Sequence, residues 1–280
     1  MVQSLKLKMN KKSKLKLVLF AVIFFAVLFG ITIFVGNGER NNGFRTLDEV
    51  ISAGKLRVVS ENSNSGIRIE NGTISGFQYE ILKIFADELG VELQVYTNNN
   101  LKESINQLHR GKIDIIAKYI PITTEWKDTV LFSVPLFASR QMLVQRISEN
   151  GENQLITRQY QLAGDTIFVP LNSPHKMRLM NLSSEIADTI YIVEMKNQTA
   201  EQLIALIADG KIRHTICHEQ LARKITRQNS NLDATLPVSF LQSYAWVVNK
   251  NSDELLEKLN EFLSNFVGSA EYWTLYRKYY

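Results

Sequence analysis

A few side chains in this sequence could do chemistry, and each also has a plainer reading. His214, Cys217 and His218, in the run HTICH, have the spacing of metal ligands. On a strand, however, residues four apart share a face while Cys217 points to the other, so three convergent ligands are not expected. As the single cysteine, Cys217 excludes an internal disulfide and reads as a buried strand residue. Trp126 could stack on a sugar or apolar ring, or simply pack within its loop. Ser173 stands where a helix starts, so its hydroxyl and the adjacent N–H groups could meet an anion, or it could be a plain N-cap. No nucleophile elbow, Walker loop or H-E-x-x-H stretch occurs. The expectation is a binding module without catalytic activity, metal or cofactor.

The elements that must hold such residues are clearest from Gly76 to Ser133. Ile81, Leu82, Ile84, Phe85 and Leu89 fall on one side of a helix, and Gly90 stops it. A strand follows over Val91 to Tyr96. Asn100 with Glu103 reads as a capping box, Leu101, Ile105 and Leu108 form an apolar stripe, and Gly111 closes that helix. Ile113 to Ala117 reads as a strand buried on both faces, which makes a strand, helix, strand unit in a largely parallel sheet. The run QMLVQ is a further strand, and from Arg146 to Arg158 the sequence turns polar and loses its period. The alternation then restarts, with strands over Thr166 to Val169, Thr189 to Val193 and His214 to Cys217. Helices are predicted over Ser173 to Leu182, with Met177 and Met180 or Leu179 inward, over Ala200 to Ala208, and over Gln220 to Arg227. Tyr244 to Val248 is a last strand, followed by a long helix and an aromatic one, Ala270 to Tyr279, expected to pack on the first lobe. Two α/β lobes joined near Met142 and Tyr244 would enclose a cleft, and small ligands bind in such clefts.

At 280 residues and 45% hydrophobic, the chain can bury a full core. Its formal charge of +4 comes from the head: six lysines precede the first acid, Glu39, and without them the body carries −2. That argues against a nucleic-acid partner. From Leu17 to Gly36 there is no charge, and fifteen of the twenty residues are Leu, Ile, Phe or Val. Such a helix spans the roughly 30 Å hydrocarbon layer and inserts with on the order of −6 kcal/mol. The expected order is a basic cytoplasmic head (1–16), a transmembrane signal-anchor (17–36), a tether (37–43) and an exported body (44–280), placed in the periplasm on the inner membrane. A cleaved signal peptide is the competing reading, although no A-x-A site follows the apolar run.

GKLRV, GFQYEILKIFADELGV, a helix ending HRGKIDIIA, and ITTEWKDTVLFSVPL together resemble the extracellular solute-binding proteins of family 3, the type II periplasmic binding proteins for polar amino acids. Within it, the N-terminal anchor, VPLNSPHKMRLMNLSSEI and the ending LYRKYY are similar to the substrate-binding half of membrane-bound lytic murein transglycosylases. The likeness covers Leu47 to Tyr280. It implies an α/β, two-lobe type II fold with a central cleft, lobe one being 44–139 with 244–280 and lobe two 140–243. It also implies that the chain ends where a lytic domain would begin, so glycan cleavage is not expected. The ligand-binding residues it implies are Lys118, Tyr119, Thr123, Trp126, Arg140, Asn172, Ser173 and His218. Lys118 and Arg140 could meet an anionic ligand or be merely solvated.

The resemblance also marks departures. Where relatives fork an Arg onto the ligand carboxylate this chain has Trp126, and where an Asp pairs with the ammonium it has His218; Pro121 and Arg213 replace two further polar positions. Losing the grip on both ends of a zwitterion removes roughly 3 to 6 kcal/mol, on the order of a hundredfold to ten-thousandfold in affinity. The expected ligand is therefore a polar small molecule, amino-acid-like or peptidoglycan-derived. The alternative is a ligand-free adaptor docking on a transporter or a cell-wall enzyme.

Overall fold

The computed structural model describes residues 43–147 and 155–280. The predicted transmembrane segment, 17–36, lies outside them, and no helix among the described residues is long and apolar enough to cross a membrane. Residues 42–280 form one compact unit. In chain order it comprises α1 (Leu47–Ser52), β1 (Lys55–Ser60), the hairpin β2 (Arg68–Glu70) and β3 (Thr73–Ser75), α2 (Phe77–Glu88), β4 (Glu92–Thr97), α3 (Leu101–His109) and β5 (Ile115–Pro121). Then come α4 (Thr124–Lys127), β6 (Val130–Phe132), β7 (Phe137–Ser139), β8 (Gln141–Arg146), β9 (Thr166–Pro170), α5 (Pro174–Glu185), β10 (Tyr191–Met195), α6 (Ala200–Ala208) and β11 (His214–His218). The remainder is α7 (Glu219–Gln228), β12 (Leu232–Asp233), β13 (Gln242–Asn249), α8 (Asp253–Phe266) and α9 (Ala270–Tyr279).

The helix stops act as their residue types demand. Gly90 and Gly111 take φ of 69° and 63°, a region that costs a side chain energy and glycine nothing. At the start of α3 only half of the expected capping box forms: Asn100 Oδ1 accepts from the Glu103 N–H at 3.2 Å, while the Glu103 carboxylate accepts from Gln107 instead.

Two mixed sheets result, one in each lobe. The first has the order β4-β1-β5-β13-β6, with β7 also paired to β13; β1 runs parallel to β4 and β5, and β13 antiparallel to β5, β6 and β7. The second has the order β10-β9-β11-β8-β12, where β8 is the antiparallel insertion. The largely parallel sheet expected from sequence is thus broken in each lobe by the strand that arrives from the other lobe. Both crossings run side by side: the Gln141 N–H donates to Ser239 Oγ at 2.8 Å and Gln141 Nε2 to Gln242 Oε1 at 3.1 Å.

Alternation along the strands feeds a core on each face. In the first sheet Val58, Ile115, Ala117 and Trp246 join one cluster while Val59, Ile116, Ile120 and Val247 join the other. Trp246 is fully buried, and its indole N–H donates to Gln78 at 2.6 Å, which removes the cost of burying that donor. The aromatic tail packs on α2, where the Phe77 ring meets Tyr272, Tyr276, Tyr279 and Tyr280 edge-on at 5.5 to 6.3 Å. It also reaches further than the sequence suggested, because the Tyr280 hydroxyl bonds Tyr119 at 2.7 Å and its ring stands 6.1 Å from His218 of the second lobe.

Candidate functional site

Between the lobes lies a cavity of about 50 Å³ whose walls come from both sheets. The end of β5 presents Lys118 and Tyr119, the loop after β1 presents Glu61 and Ser65, and β13 presents Tyr244. From the second lobe come Ser173 and His175 at the start of α5, Glu201 in the first turn of α6, and His218 at the end of β11. One water needs roughly 10–15 Å³ of such space, so the cavity holds a group of a few heavy atoms. Two contacts between lobes close it: Asn64 donates to Glu201 through its backbone N–H at 3.3 Å and its amide at 3.4 Å, and Asn172 donates to Asn100 at 3.0 Å.

Polar atoms face this space without partners. Ser173 Oγ and Glu201 Oε1 are buried and find no hydrogen-bond partner among the described residues. The Tyr244 hydroxyl faces Gln141 without reaching hydrogen-bond geometry. A buried polar group left unsatisfied costs about 1–3 kcal/mol, so these atoms favour a polar occupant.

The charges decide its sign. Burial raises the Glu61 pKa; nearby Lys118 opposes that and Glu201 adds to it. Burial lowers Lys118 to about 8, partly offset by Glu61, and its ammonium donates to Ser104 Oγ at 2.9 Å. His218 is held down to about 3 by burial and by the neighbouring His175, itself lowered by burial to about 4. His218 Nδ1 accepts from the Leu221 N–H at 3.3 Å, capping α7, and its ring stands edge-on to Tyr119 at 5.1 Å. Both imidazoles are neutral at physiological pH. The wall then offers the carboxyl oxygens of Glu61 and Glu201 as acceptors against one ammonium already bonded to Ser104, a setting that suits a ligand with a cationic group.

The eight residues picked out in the sequence separate into three places. Lys118, Tyr119, Ser173 and His218 line the inner cavity. Thr123, Trp126 and Asn172, again with Ser173, line an outer groove of about 500 Å³ between α3, α4 and α5. Arg140 joins neither: it lines a hollow with Phe240 and Leu241 and pairs with Glu219 at 3.8 Å. Lys118 is not a solvated lysine, being only 3% exposed, because β5 is buried along its whole length. On α5 it is Leu179 and Leu182 that turn inward, while Met177 and Met180 stay 41% and 47% exposed along the outer groove. Among the described residues no group of three His, Cys, Asp or Glu side chains could hold a metal ion.

Sequence reasoning passed over Glu61, Glu201 and Tyr244. The signal for Glu201 was available: Thr199 with Gln202 forms a reciprocal capping box, which fixes where α6 begins and so where its first acid stands.

Paired α/β lobes, two crossing strands and a polar cavity at the junction define a two-lobe periplasmic-type solute-binding fold. The chain belongs to the bacterial extracellular solute-binding proteins, family 3, whose family model matches residues 56–280. Among curated relatives it is similar to membrane-bound lytic murein transglycosylase F of Desulfosudis oleivorans, 27% identical over 242 residues, and to that of Pseudomonas fluorescens, 28% identical over 244 residues. The matches cover 86% and 84% of this chain but 52% and 48% of those proteins, so the chain spans about half their length. Solved structures similar to it include the arginine-bound form of ArgBP from T. maritima, 26% identical with a TM-score of 0.66, covering 78% of this chain and 99% of that one. Another is an ancestral arginine-binding protein bound to arginine, 25% identical with a TM-score of 0.68, covering 81% and 98%.

Proposed function

We propose that the chain is a non-catalytic solute-binding module that captures a small polar ligand bearing a cationic nitrogen, amino-acid-like or peptidoglycan-derived, between its two lobes. One observation carries this reading: the unpartnered Glu201 Oε1 and Ser173 Oγ face one interlobe cavity in which carboxyl groups outnumber ammonium groups. In this reading Glu201 and Glu61 receive the cation, Ser173 and Tyr244 add hydrogen bonds, and the lobes (44–139 with 244–280, and 140–243) hinge at the paired crossings. Its likeness to arginine-bound ArgBP and to an ancestral arginine-binding protein supports a ligand with a cationic group. The module is taken to be held on the periplasmic side of the inner membrane by residues 17–36, with a transporter or a cell-wall enzyme as its downstream partner.

A thermal-shift screen of the chain against amino acids, their amides and muropeptides tests the proposal. A binder at 100 times its Kd adds about 2.7 kcal/mol, several degrees for a body of this size. Glu201→Gln should erase the shift. A variant that still responds in full would show that the ligand lies elsewhere. A second reading, a ligand-free adaptor, draws on Phe240, 85% exposed beside Leu241 on the crossing segment; it predicts that no compound moves the melting point.

A further inference from the structure

Ser173 and Pro174 line both the inner cavity and the outer groove, so the two spaces adjoin. Building on the ligand-binding reading above, we propose that the groove is a second subsite for the same ligand. The ligand is then an aminoacyl compound bound amine-inward, whose carboxyl carbon continues in an amide or peptide bond. Its first residue is small and its second apolar.

Size is the first ground. About 50 Å³ beside Glu201 admits an ammonium and a short side chain, whereas the groove offers about 500 Å³. Charge is the second. Ser173, which lines both spaces, and Thr123, which lines the groove, carry hydroxyls that are buried and without a partner among the described residues. Neutral hydroxyls suit a neutral amide carbonyl. The one ammonium of the inner wall, Lys118, already donates to Ser104 and faces Glu61, so a free carboxylate placed beside two carboxyl groups would lose its hydration with little return. Surface is the third. Trp126 of α4 with Met177 and Met180 of α5 give the groove an apolar wall, and the two methionines stay half-exposed where the same helix buries Leu179 and Leu182. Lys102 of α3, exposed, lines the same groove, where it can meet the terminal carboxylate of a dipeptide.

Isothermal titration of the chain with L-alanine, L-alaninamide and L-alanyl-L-phenylalanine tests this. The amide should bind about tenfold more tightly than the free acid, and the dipeptide about tenfold more tightly again. Trp126→Ala should lower the dipeptide-to-amide affinity ratio by about tenfold. Because Trp126 also packs on the lobe-one core, the paired exposed changes Met177→Ala and Met180→Ala provide a second variant, expected to lower the same ratio while leaving the melting point of the unliganded chain in place. Alanine binding as tightly as the dipeptide, or a ratio that neither variant moves, overturns the second subsite. If alanine binds and Glu201→Gln removes that binding while the dipeptide is refused, this proposal falls and the cavity reading stands. If none of the three compounds binds, the second subsite falls, while the cavity reading is decided by the wider thermal-shift screen.

Discussion

Lys118→Met should make the protein more stable at neutral pH and should stop doing so in alkali. The lysine is nearly fully buried, and burial holds its pKa at about 8 against an ordinary 10.5. A displacement of this size corresponds to roughly 3 kcal/mol working against the folded state at pH 7. Between about pH 8 and 10.5 the unfolded chain keeps a proton on this amine that the folded chain has released, so stability climbs with pH across that window. Methionine fills the same space and does not titrate. Part of the gain is offset, because Glu61 loses the cation that opposes its upward shift and Ser104 loses a donor. The net expectation is about 1–3 kcal/mol of added stability at pH 7, falling to zero or below by about pH 10.5. Urea denaturation of wild type and variant at both pH values reads this directly. A variant less stable at pH 7, or a difference equal at the two pH values, would refute the assignment of a strained ammonium.

Two further outcomes follow from the same physical chemistry. In acid, unfolded imidazoles take up protons below about pH 6.5 while His175 and His218 stay neutral until about 4 and about 3, so stability falls as pH drops through that window. Each contributes about 2 kcal/mol of loss by pH 5. Glu61, held up by burial, works the other way and reduces the net fall. The double variant His175→Gln with His218→Asn should flatten the melting temperature against pH, and an unchanged slope would count against buried neutral imidazoles. Asp114→Ala should cost about 3–5 kcal/mol in urea denaturation. That carboxylate is buried and accepts from the Arg57 N–H at 2.7 Å, the Arg57 guanidinium at 3.0 Å and Arg45 Nε at 2.9 Å, so its removal strands two partly buried cations. A loss under about 1 kcal/mol would place the pair among ordinary surface ion pairs.

The alternation of helices and strands was legible because it is written locally. Glycine stops, the Asn100 cap and the stripe Leu101, Ile105, Leu108 each depend on neighbours within a turn or two, and the last helix was read to the residue. The antiparallel insertion of β13 between β5 and β6 was not legible, since it joins residues more than a hundred positions apart. The inner cavity was half legible for the same reason. Lys118 and Ser173 sit beside recognisable punctuation, but Glu61 reads as a loop acid and Glu201 as an ordinary first-turn acid until the lobes bring them to one space. On α5 both the methionines and the leucines fit a helical period, and only the packing of Leu179 and Leu182 against the second core decides between them.

The central claim is that a cationic nitrogen is received by Glu61 and Glu201 in the inner cavity. A crystal structure of the chain grown with the tightest binder from the thermal-shift screen tests this most directly. The account predicts a ligand nitrogen within hydrogen-bonding distance of Glu201 Oε1, with the Ser173 hydroxyl satisfied by the same molecule. Ligand density confined to the hollow beside Arg140 and Phe240, with Glu201 still unpartnered, would contradict it.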